Sequence, residues 1–419
     1  MTKLILAFHL LLISTFFGAT PSESTTSASE IAICHSISEE STALLKDAPN
    51  DPTKIYSMPL LAKTAKGAVM LSWTEKDAQG MVSFCVAFSK DNGKTFSEKK
   101  TIYSGTGIGN SRMMRAKVLS KKDGSFVAVF ANRGEAAAAS SGRGGGRSSN
   151  LVYCVSKDGA ATWTAPQPVD SDPKQGIVRG FFDAVVMSND EIAVTYLKDV
   201  ANSTKHEERD LRLVVSKNGV MQPEKLIDPV VCDCCPINLF VDAQGALNVV
   251  YRDNNNDIRD MAKMVSTDNA ETFSKSQILH NDGWKIMGCP HSGAVSSINE
   301  KGALISWFSG AESEKGIRLT TQDGKKLLVI NDPSAKNQAL VGGAQASVLL
   351  WEQNKAEDGL SQIAFRKINN DKVSETAWVE ESLNGTNAVG LAVGNQLLVA
   401  YEVKQANGKN SLKVSTVPF

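Results

Sequence analysis

Apolar residues recur along the chain in seven short segments that have the alternating or continuous pattern of β-strands. The segments are "AVMLSW", "FVAVFANR", "EIAVTYLK", "LNVVYRD", "ALISWFS", "SVLLWEQ" and "QLLVAYE". They begin at residues 68, 126, 191, 247, 303, 347 and 396, which lie 44 to 65 residues apart. This spacing suits one four-stranded blade per segment, and blades repeated around an axis form a β-propeller. The sequence therefore predicts an all-β propeller.

The number of blades is predicted as six or seven, with seven favoured. The last copy of the repeat, which begins with "QLLVAYE", ends at the C-terminus without room for a fourth strand. The stretch "EIAICHSI" near residue 30 is expected to supply that strand and to close the ring. Six blades with an irregular N-terminal strand is the alternative.

A second repeat follows three of these segments, each time after an apolar strand. It reads "SKDNGKTF" from Ser89, "SKDGAATW" from Ser156 and "STDNAETF" from Ser266. In each copy an Asp two residues after the Ser is expected to accept hydrogen bonds from its own turn, while the final aromatic enters the core. We interpret these turns as structural staples between the third and fourth strands of a blade.

This repeat resembles the Asp-box, or BNR, repeat of the sialidase (neuraminidase) superfamily. Ala160 and Ala270 stand where the family usually has Gly. The resemblance implies a single sialidase-like propeller over residues 30–419. Sialidases of this resemblance have six blades, one fewer than the number of apolar segments.

The N-terminal residues 1–24 have one Lys, an apolar run and then small residues, which is the layout of a secretory signal peptide. The mature protein is expected to be periplasmic or secreted, without a membrane span. The chain has 45 basic and 45 acidic residues and no long basic run, so no nucleic-acid partner is expected.

In a propeller the loops that lead into the innermost strand of each blade meet at one mouth of the central channel. "CDCCPINLFV" and "GCPHSGAV" are predicted to open the innermost strands of blades four and five. Residues far apart in sequence would thereby meet: Cys232, Cys234, Cys235, Cys289 and His291. These soft ligands suit copper(I) or zinc.

Disulfides that tie the two loops are an equal alternative in an exported chain. Thiol exchange is a third reading. Cys234 and Cys235 are expected to point to opposite sides of an extended strand and so not to pair with each other. Cys85 and Cys154 are expected to be buried core thiols.

Arginines that the topology carries to the same face could bind a glycan or a small anionic ligand: Arg112, Arg115, Arg179, Arg252 and Arg259. Trp284, before the fifth blade, is either a stacking platform for a sugar or a plug that packs its loop. The plug is slightly favoured.

The resemblance also implies a hydrolase site with an arginine clamp, a Tyr nucleophile and an Asp acid/base. Ser57 and Met58 occupy the Arg-Ile positions of the family's Arg-Ile-Pro motif before Pro59, and no tyrosine is found in the innermost strand of blade six. Asp77 is a loose match to the acid/base. We predict a ligand- or metal-binding protein that lacks a complete sialidase site. The alternative is a divergent glycoside hydrolase or lyase that acts on acidic glycans with Asp77, Arg179 and Arg252.

Overall fold

A computed structural model describes residues 51–133, 150–170, 179–200, 208–355 and 359–419, without the side chains of Arg179 and Glu208. The predicted signal peptide, the predicted closing strand near residue 30 and Cys34 lie outside the described residues. No described residue belongs to a helix with the length and apolar character needed to cross a membrane.

The described chain forms seven antiparallel sheets arranged as the blades of a propeller. Blades one and two contain β1 (Ile55–Lys63), β2 (Val69–Lys76), β3 (Val82–Ser89), β4 (Lys100–Gly105), β5 (Lys117–Ser120), β6 (Phe126–Asn132), β7 (Asn150–Ser156) and β8 (Gln167–Pro168). Blade three contains β9 (Arg179–Val186), β10 (Ile192–Asp199), β11 (Glu208–Lys217), β12 (Val220–Met221) and β13 (Lys225–Cys232).

The remaining blades follow in chain order. Blades four and five contain β14 (Asn238–Val241), β15 (Leu247–Arg252), β16 (Met261–Ser266), β17 (Gln277–Ile278), β18 (Val295–Asn299), β19 (Gly302–Ser309), β20 (Gly316–Thr321) and β21 (Lys326–Ile330). Blades six and seven contain β22 (Lys336–Gly342), β23 (Ser347–Asn354), β24 (Ser361–Asn369), β25 (Lys372–Val373), β26 (Ala377–Trp378), β27 (Gly385–Val393), β28 (Gln396–Lys404) and β29 (Asn410–Pro418). A short 3-10 turn at Arg112–Met114 precedes β5.

Each predicted apolar segment is the second strand of one blade, so the prediction of seven blades is confirmed. These second strands share a buried aromatic at the equivalent position: Trp73, Phe130, Tyr196, Tyr251, Trp307, Trp351 and Tyr401. Burying one such ring contributes about 2 kcal/mol or more. The aromatic repeat therefore places one large anchor in every blade.

The hydrophobic core lies between neighbouring blades. Seven clusters of buried side chains each join one blade to the next, and the cluster that contains Leu71 and Leu398 joins blade seven to blade one. The Glu402 carboxylate, which follows the anchor Tyr401, accepts a hydrogen bond of 2.8 Å from the Met58 amide of blade one. The ring is thus closed by apolar packing and by a buried polar contact.

The three Asp boxes lie between the third and fourth strands of blades one, two and four, as predicted. Asp158 accepts the Thr162 amide at 2.9 Å and its hydroxyl at 2.5 Å. These hydrogen bonds lower the pKa of Asp158 to about 2. The equivalent contacts of Asp91 and Asp268 show that each box is committed to its own turn.

The innermost strands of all seven blades border a central cavity of about 300 Å³. Residues with a left-handed backbone lie at bulges of four of these strands: Met58, Phe181, Asn337 and Asn387 have φ angles of 56°, 52°, 55° and 54°. The register of each strand shifts at that point. The bulges bend the innermost strands of blades one, three, six and seven.

Candidate functional site

The first cysteine loop lies between blades three and four. Cys232 is the last residue of β13, the outer strand of blade three, and the innermost strand of blade four begins only at Asn238. The expectation that Cys232 to Cys235 open an extended strand was therefore wrong. The chain turns at Asp233 and Cys234. Because the backbone turns, neighbouring cysteines do not alternate in direction, and all three sulfur atoms meet on one side.

The three sulfur atoms form a compact buried cluster. Cys232 Sγ lies 3.9 Å from Cys234 Sγ and 3.6 Å from Cys235 Sγ. All three residues are at most 3 % exposed. We refer to Cys232, Cys234 and Cys235 as the thiol triad. Three thiolates bound to one ion at about 2.3 Å in a trigonal plane would lie about 4 Å apart, close to these distances.

The second loop brings two exposed ligands to the same place. Cys289 and His291 lie between β17 and β18, and their ligand atoms and the sulfur of Cys234 are within 4.8 Å of one another. Cys289 Sγ is also 3.8 Å from the Asp233 carboxylate. The predicted convergence of two distant loops is present, and Cys234 belongs to both groups of three ligands.

The two loops are in direct backbone contact. A Cβ atom added at Gly293 would lie 2.2 Å from the Pro236 carbonyl oxygen, so only Gly fits at this position. "CDCCP" and "CPHSG" thus lie in close backbone contact at this point. The six cysteines within the described ranges are all free thiols in this structure.

Arg259 places a buried positive charge beside the thiol triad. The side chain is fully buried, and Nη1 donates to Cys232 Sγ at 3.2 Å. Nη1 also lies 3.7 Å from Asp233, and Nη2 lies 3.7 Å from Asp257. Within the described part of the chain, Nε and Nη2 have no hydrogen-bond acceptor. A buried guanidinium with unused donors at a thiol cluster marks a site that suits an additional anionic group.

The three thiols of the triad differ in acidity. The pKa of Cys232 is lowered because the Cys234 and Cys235 thiols donate to its sulfur and Arg259 lies beside it. The pKa of Cys234 is raised by its contact with Cys232. Burial, followed by the contact with Cys232, raises the pKa of Cys235. The cluster therefore favours one thiolate, on Cys232, as the nucleophilic and metal-binding form of the group.

Two further arginines reach across the mouth of the channel from blade two. Arg112 Nη2 donates to the His291 carbonyl at 3.0 Å, and Arg115 Nη2 donates to the Asn387 carbonyl at 3.4 Å. Both side chains are half-buried and border the central cavity. Among the described residues, each guanidinium makes only this hydrogen bond.

Arg252 and Trp284 are packed together away from the cavity. Arg252 donates through all three nitrogens, to the carbonyl oxygens of Ser292, Arg259 and Phe308. It also lies over the Trp284 ring, 4.9 Å from the centroid. Trp284 is 8 % exposed and meets Phe308 edge to face. Trp284 therefore packs its own loop, as the plug interpretation expects. The hydrogen bonds of Arg252 connect the loops that carry Arg259 and Ser292.

The structure places Asp77 in the tight turn after β2. Its Oδ1 accepts the amides of Gln79 and Met81 at 3.0 and 2.8 Å, so this oxygen stabilises the turn. Arg179 begins β9, and its side chain lies outside the described residues. Cys85 and Cys154 are fully buried on third strands, where burial raises the pKa of each to about 12.

Three acidic residues at the mouth were not predicted from the sequence. Asp233 lies inside the "CDCC" motif, between the thiol triad and Cys289. Glu352 and Glu402 each follow the aromatic anchor of an apolar strand and are 1 % exposed. Burial raises the pKa of both carboxyl groups. A charged residue at the end of an otherwise apolar strand was the signal that could have identified them.

The donor set fits a soft metal ion better than a hard one. Cys232, Cys234, Cys235, Cys289 and His291 offer four sulfur atoms and one imidazole, which are ligands of copper(I) and zinc. Described residues form two groups of three Cys or His ligands that share Cys234, and no four Cys, His, Asp or Glu side chains among them come together as one group. Arg259 and Asp233 place a positive and a negative charge beside the triad.

Solved structures with the same architecture have low sequence identity. A protein of unknown function from Dyadobacter fermentans matches with a TM-score of 0.54 and 13 % identity, over 88 % of this chain and 96 % of that one. The Hadza microbial sialidase Hz136 matches with a TM-score of 0.50 and 16 % identity, over 76 % of this chain and 66 % of that one. At these identities the likeness concerns the fold alone.

A puromycin hydrolase solved as its S511A mutant gives a TM-score of 0.55 at 10 % identity, over 90 % of this chain and 53 % of that one. This chain thus spans about half the length of that hydrolase. No curated protein matches this sequence. The BNR repeat-like domain family matches residues 12–357, which is most of the chain. Together with the three Asp boxes and the seven blades, this match shows that the chain belongs to the BNR repeat-like domain family, with a sialidase-like propeller fold.

Proposed function

We propose that this propeller is an exported protein that binds a soft metal ion, copper or zinc, at the mouth of its channel. The single observation that carries the proposal is the meeting of the thiol triad with Cys289 and His291 from a loop more than fifty residues away. Buried thiols of a core normally stand alone, as Cys85 and Cys154 do. Here three buried sulfur atoms lie at metal-binding separations next to the buried Arg259, and a guanidinium with unused donors is costly to bury unless an anionic group such as a metal-bound thiolate lies beside it.

Elemental analysis of protein exported in its native compartment tests this proposal when it is combined with a count of free thiols under denaturing conditions. We expect about one copper or zinc ion per chain, and free thiols. Cys232→Ser and Cys235→Ser should each lower the metal content severalfold, because each removes one ligand of the triad. Cys154→Ala removes a buried thiol elsewhere and serves as the matched control.

The opposite result would be a chain that carries no stoichiometric metal, gains none after reduction and has few free thiols. In that case the cysteines are disulfide staples between the two loops, as an exported protein readily forms. A triad variant that keeps its full metal content would also contradict the proposal.

A second candidate is the binding of a small anionic ligand, such as an acidic sugar, by Arg112 and Arg115. The observation in its favour is that both guanidinium groups border the cavity with most of their donors unused among the described residues. Bidentate contacts from Arg suit a carboxylate. A cavity of about 300 Å³ is at the small end of ligand sites.

Titration calorimetry with free sialic acid and glucuronic acid tests this second candidate. Binding that weakens about tenfold or more in Arg115→Leu, and not in Arg366→Leu, which removes a half-buried Arg of β24, would support it. Equal binding by both variants, or no heat with either sugar, would count against it. Hydrolysis of acidic glycans is less well supported, because Arg252 and Asp77 already have structural partners.

A further inference from the structure

The loop that carries Cys289 and His291 has a third soft ligand that packing does not explain. Met287 lies two residues before Cys289 and is 88 % exposed, far more than any other large apolar side chain that the structure describes. Met287, Cys289 and His291 thus alternate along one exposed stretch of the loop. We refer to these three residues as the outer ligands. A thioether is a ligand of copper(I), whereas zinc sites in proteins use Cys, His and carboxylates.

Exposure falls from the outer ligands to the thiol triad. Cys289 and His291 are exposed, Cys234 is 3 % exposed, and Cys232 and Cys235 are 1 % and 2 % exposed. Cys234 is common to the exposed group of three ligands and to the buried one. An ion could therefore move from one group to the other without losing all of its protein ligands at any point.

The coordination number also favours copper(I). A structural zinc site is almost always tetrahedral, with four ligand atoms around one ion. The described residues offer two groups of three Cys or His ligands that overlap at Cys234, and no His, Asp or further Cys side chain among them completes the buried group as a tetrahedral site. Sulfur separations of 3.6 and 3.9 Å from Cys232 suit a three-coordinate ion.

We infer that the site is a copper(I) relay, in which Met287, Cys289 and His291 receive the ion and Cys234 passes it to Cys232 and Cys235. This inference rests on the proposed function of the thiol triad. In the transfer the bonds from copper to Met287, Cys289 and His291 break, the bond to Cys234 is kept, and bonds to the sulfur atoms of Cys232 and Cys235 form. The Cys235 thiol loses a proton as it binds copper, the Cys289 thiolate takes up a proton as it is released, and copper remains copper(I), so no electron is exchanged.

Arg112 has a positioning role in this relay. Its hydrogen bond to the His291 carbonyl ties the receiving loop to blade two, on the other side of the mouth. The contact of Gly293 with Pro236 fixes the same loop to the turn that carries Cys235. The two contacts hold the outer ligands over the triad.

Stopped-flow transfer of copper(I) from the reduced, fully loaded protein to a coloured copper(I) chelator, without oxygen, tests the relay. The double variant Cys289→Ser/His291→Ala should keep one copper ion per chain but release it roughly tenfold more slowly or more, since the exchange path is lost. Met287→Leu should slow the transfer by a smaller factor. His280→Ala, on the same loop, and Met81→Leu, an exposed Met of blade one, are matched controls that should match the wild type.

Equal transfer rates in the double variant and the wild type would overturn the relay. So would a wild type that holds two copper ions at once and a double variant that holds one, because that result describes a two-ion centre bridged by Cys234. A wild type that retains zinc and rejects copper(I) would overturn the relay and leave the proposed metal site standing. A wild type that binds neither ion would overturn the proposed function itself.

Discussion

At the scale of the single residue, Gly93 shows how an Asp box can serve two blades. Its φ angle of +84° is one that residues with a side chain rarely adopt. A Cβ atom at Gly93 would also lie 2.3 Å from Leu398, which is fully buried in the cluster between blades seven and one. The turn of blade one therefore packs directly on blade seven.

Gly93→Ala should lower the free energy of unfolding by about 2 to 4 kcal/mol, from backbone strain of about 1 kcal/mol and overpacking against Leu398. Urea unfolding followed by tryptophan fluorescence measures it. Gly67→Ala is the matched control, because Gly67 has the same φ angle of +84° with nothing within 4 Å of its added Cβ. Equal losses in the two variants would show that Leu398 makes way for the methyl group and that the contact between blades is unimportant.

Contacts of individual residues also explain why part of the site could not be predicted. Cys232 Sγ, Arg259 Nη1 and Asp233 meet because the chain turns after β13, and nothing in "VCDCCPINLF" distinguishes this turn from an extended strand. The expectation that Cys234 and Cys235 point apart assumed the strand. The charge of Arg252 predicted a ligand-binding role, but its guanidinium donates to three carbonyl oxygens that only the folded chain brings together.

At the scale of the element, the strands were predictable because each has an internal signal. The second strand of every blade combines an apolar run with a buried aromatic, from Trp73 to Tyr401. The Asp boxes have their own local chemistry, in which Ser, Asp and Thr bond within one turn. Short outer strands such as β8 and β17 have two residues each and no pattern that a sequence could show. Local signals thus define the inner strands better than the outer ones.

The meeting of the two cysteine loops was also predictable at this scale. Cys232 and Cys289 are 57 residues apart, close to the spacing of the blades, so their loops fall at equivalent places in neighbouring blades. The propeller then brings such loops to one face without any signal from the cysteines themselves. What the repeat could not provide is the oxidation state of the thiols or the identity of a ligand, because both depend on chemistry outside the chain.

At the scale of the whole molecule, the ring depends on how blade seven meets blade one. Glu402 is 1 % exposed, and its carboxylate accepts hydrogen bonds from the Met58 amide at 2.8 Å and from the side chains of Asn387 and Asn410 at 3.0 and 2.7 Å. Glu352 accepts the Asn387 amide at 2.6 Å in the same way, one blade earlier. Two buried carboxylates thus bind the bulges of blades seven and one.

Glu402→Ala should destabilise the protein by about 2 to 4 kcal/mol, because three buried donors lose their acceptor. Glu402→Gln should cost much less at pH 7, since its carbonyl oxygen still accepts from Met58 and Asn387. Burial raises the pKa of Glu402 above its ordinary 4.5, so the folded state binds its proton more tightly than the unfolded state does. The stability that this group contributes is therefore present below pH 4.5 and is lost as the pH rises through the raised pKa.

Urea unfolding between pH 4 and pH 7 measures both effects. Glu402→Gln cannot ionise, so relative to the wild type it should be least stable at pH 4 and should recover toward pH 7. Glu380→Ala, an exposed acidic residue between blades six and seven, should follow the wild type throughout. If Glu402→Ala unfolded at the same urea concentration as the wild type, apolar packing between Leu71 and Leu398 alone would hold the ring closed. If Glu402→Gln were as damaging as Glu402→Ala, the ring would require the charge itself.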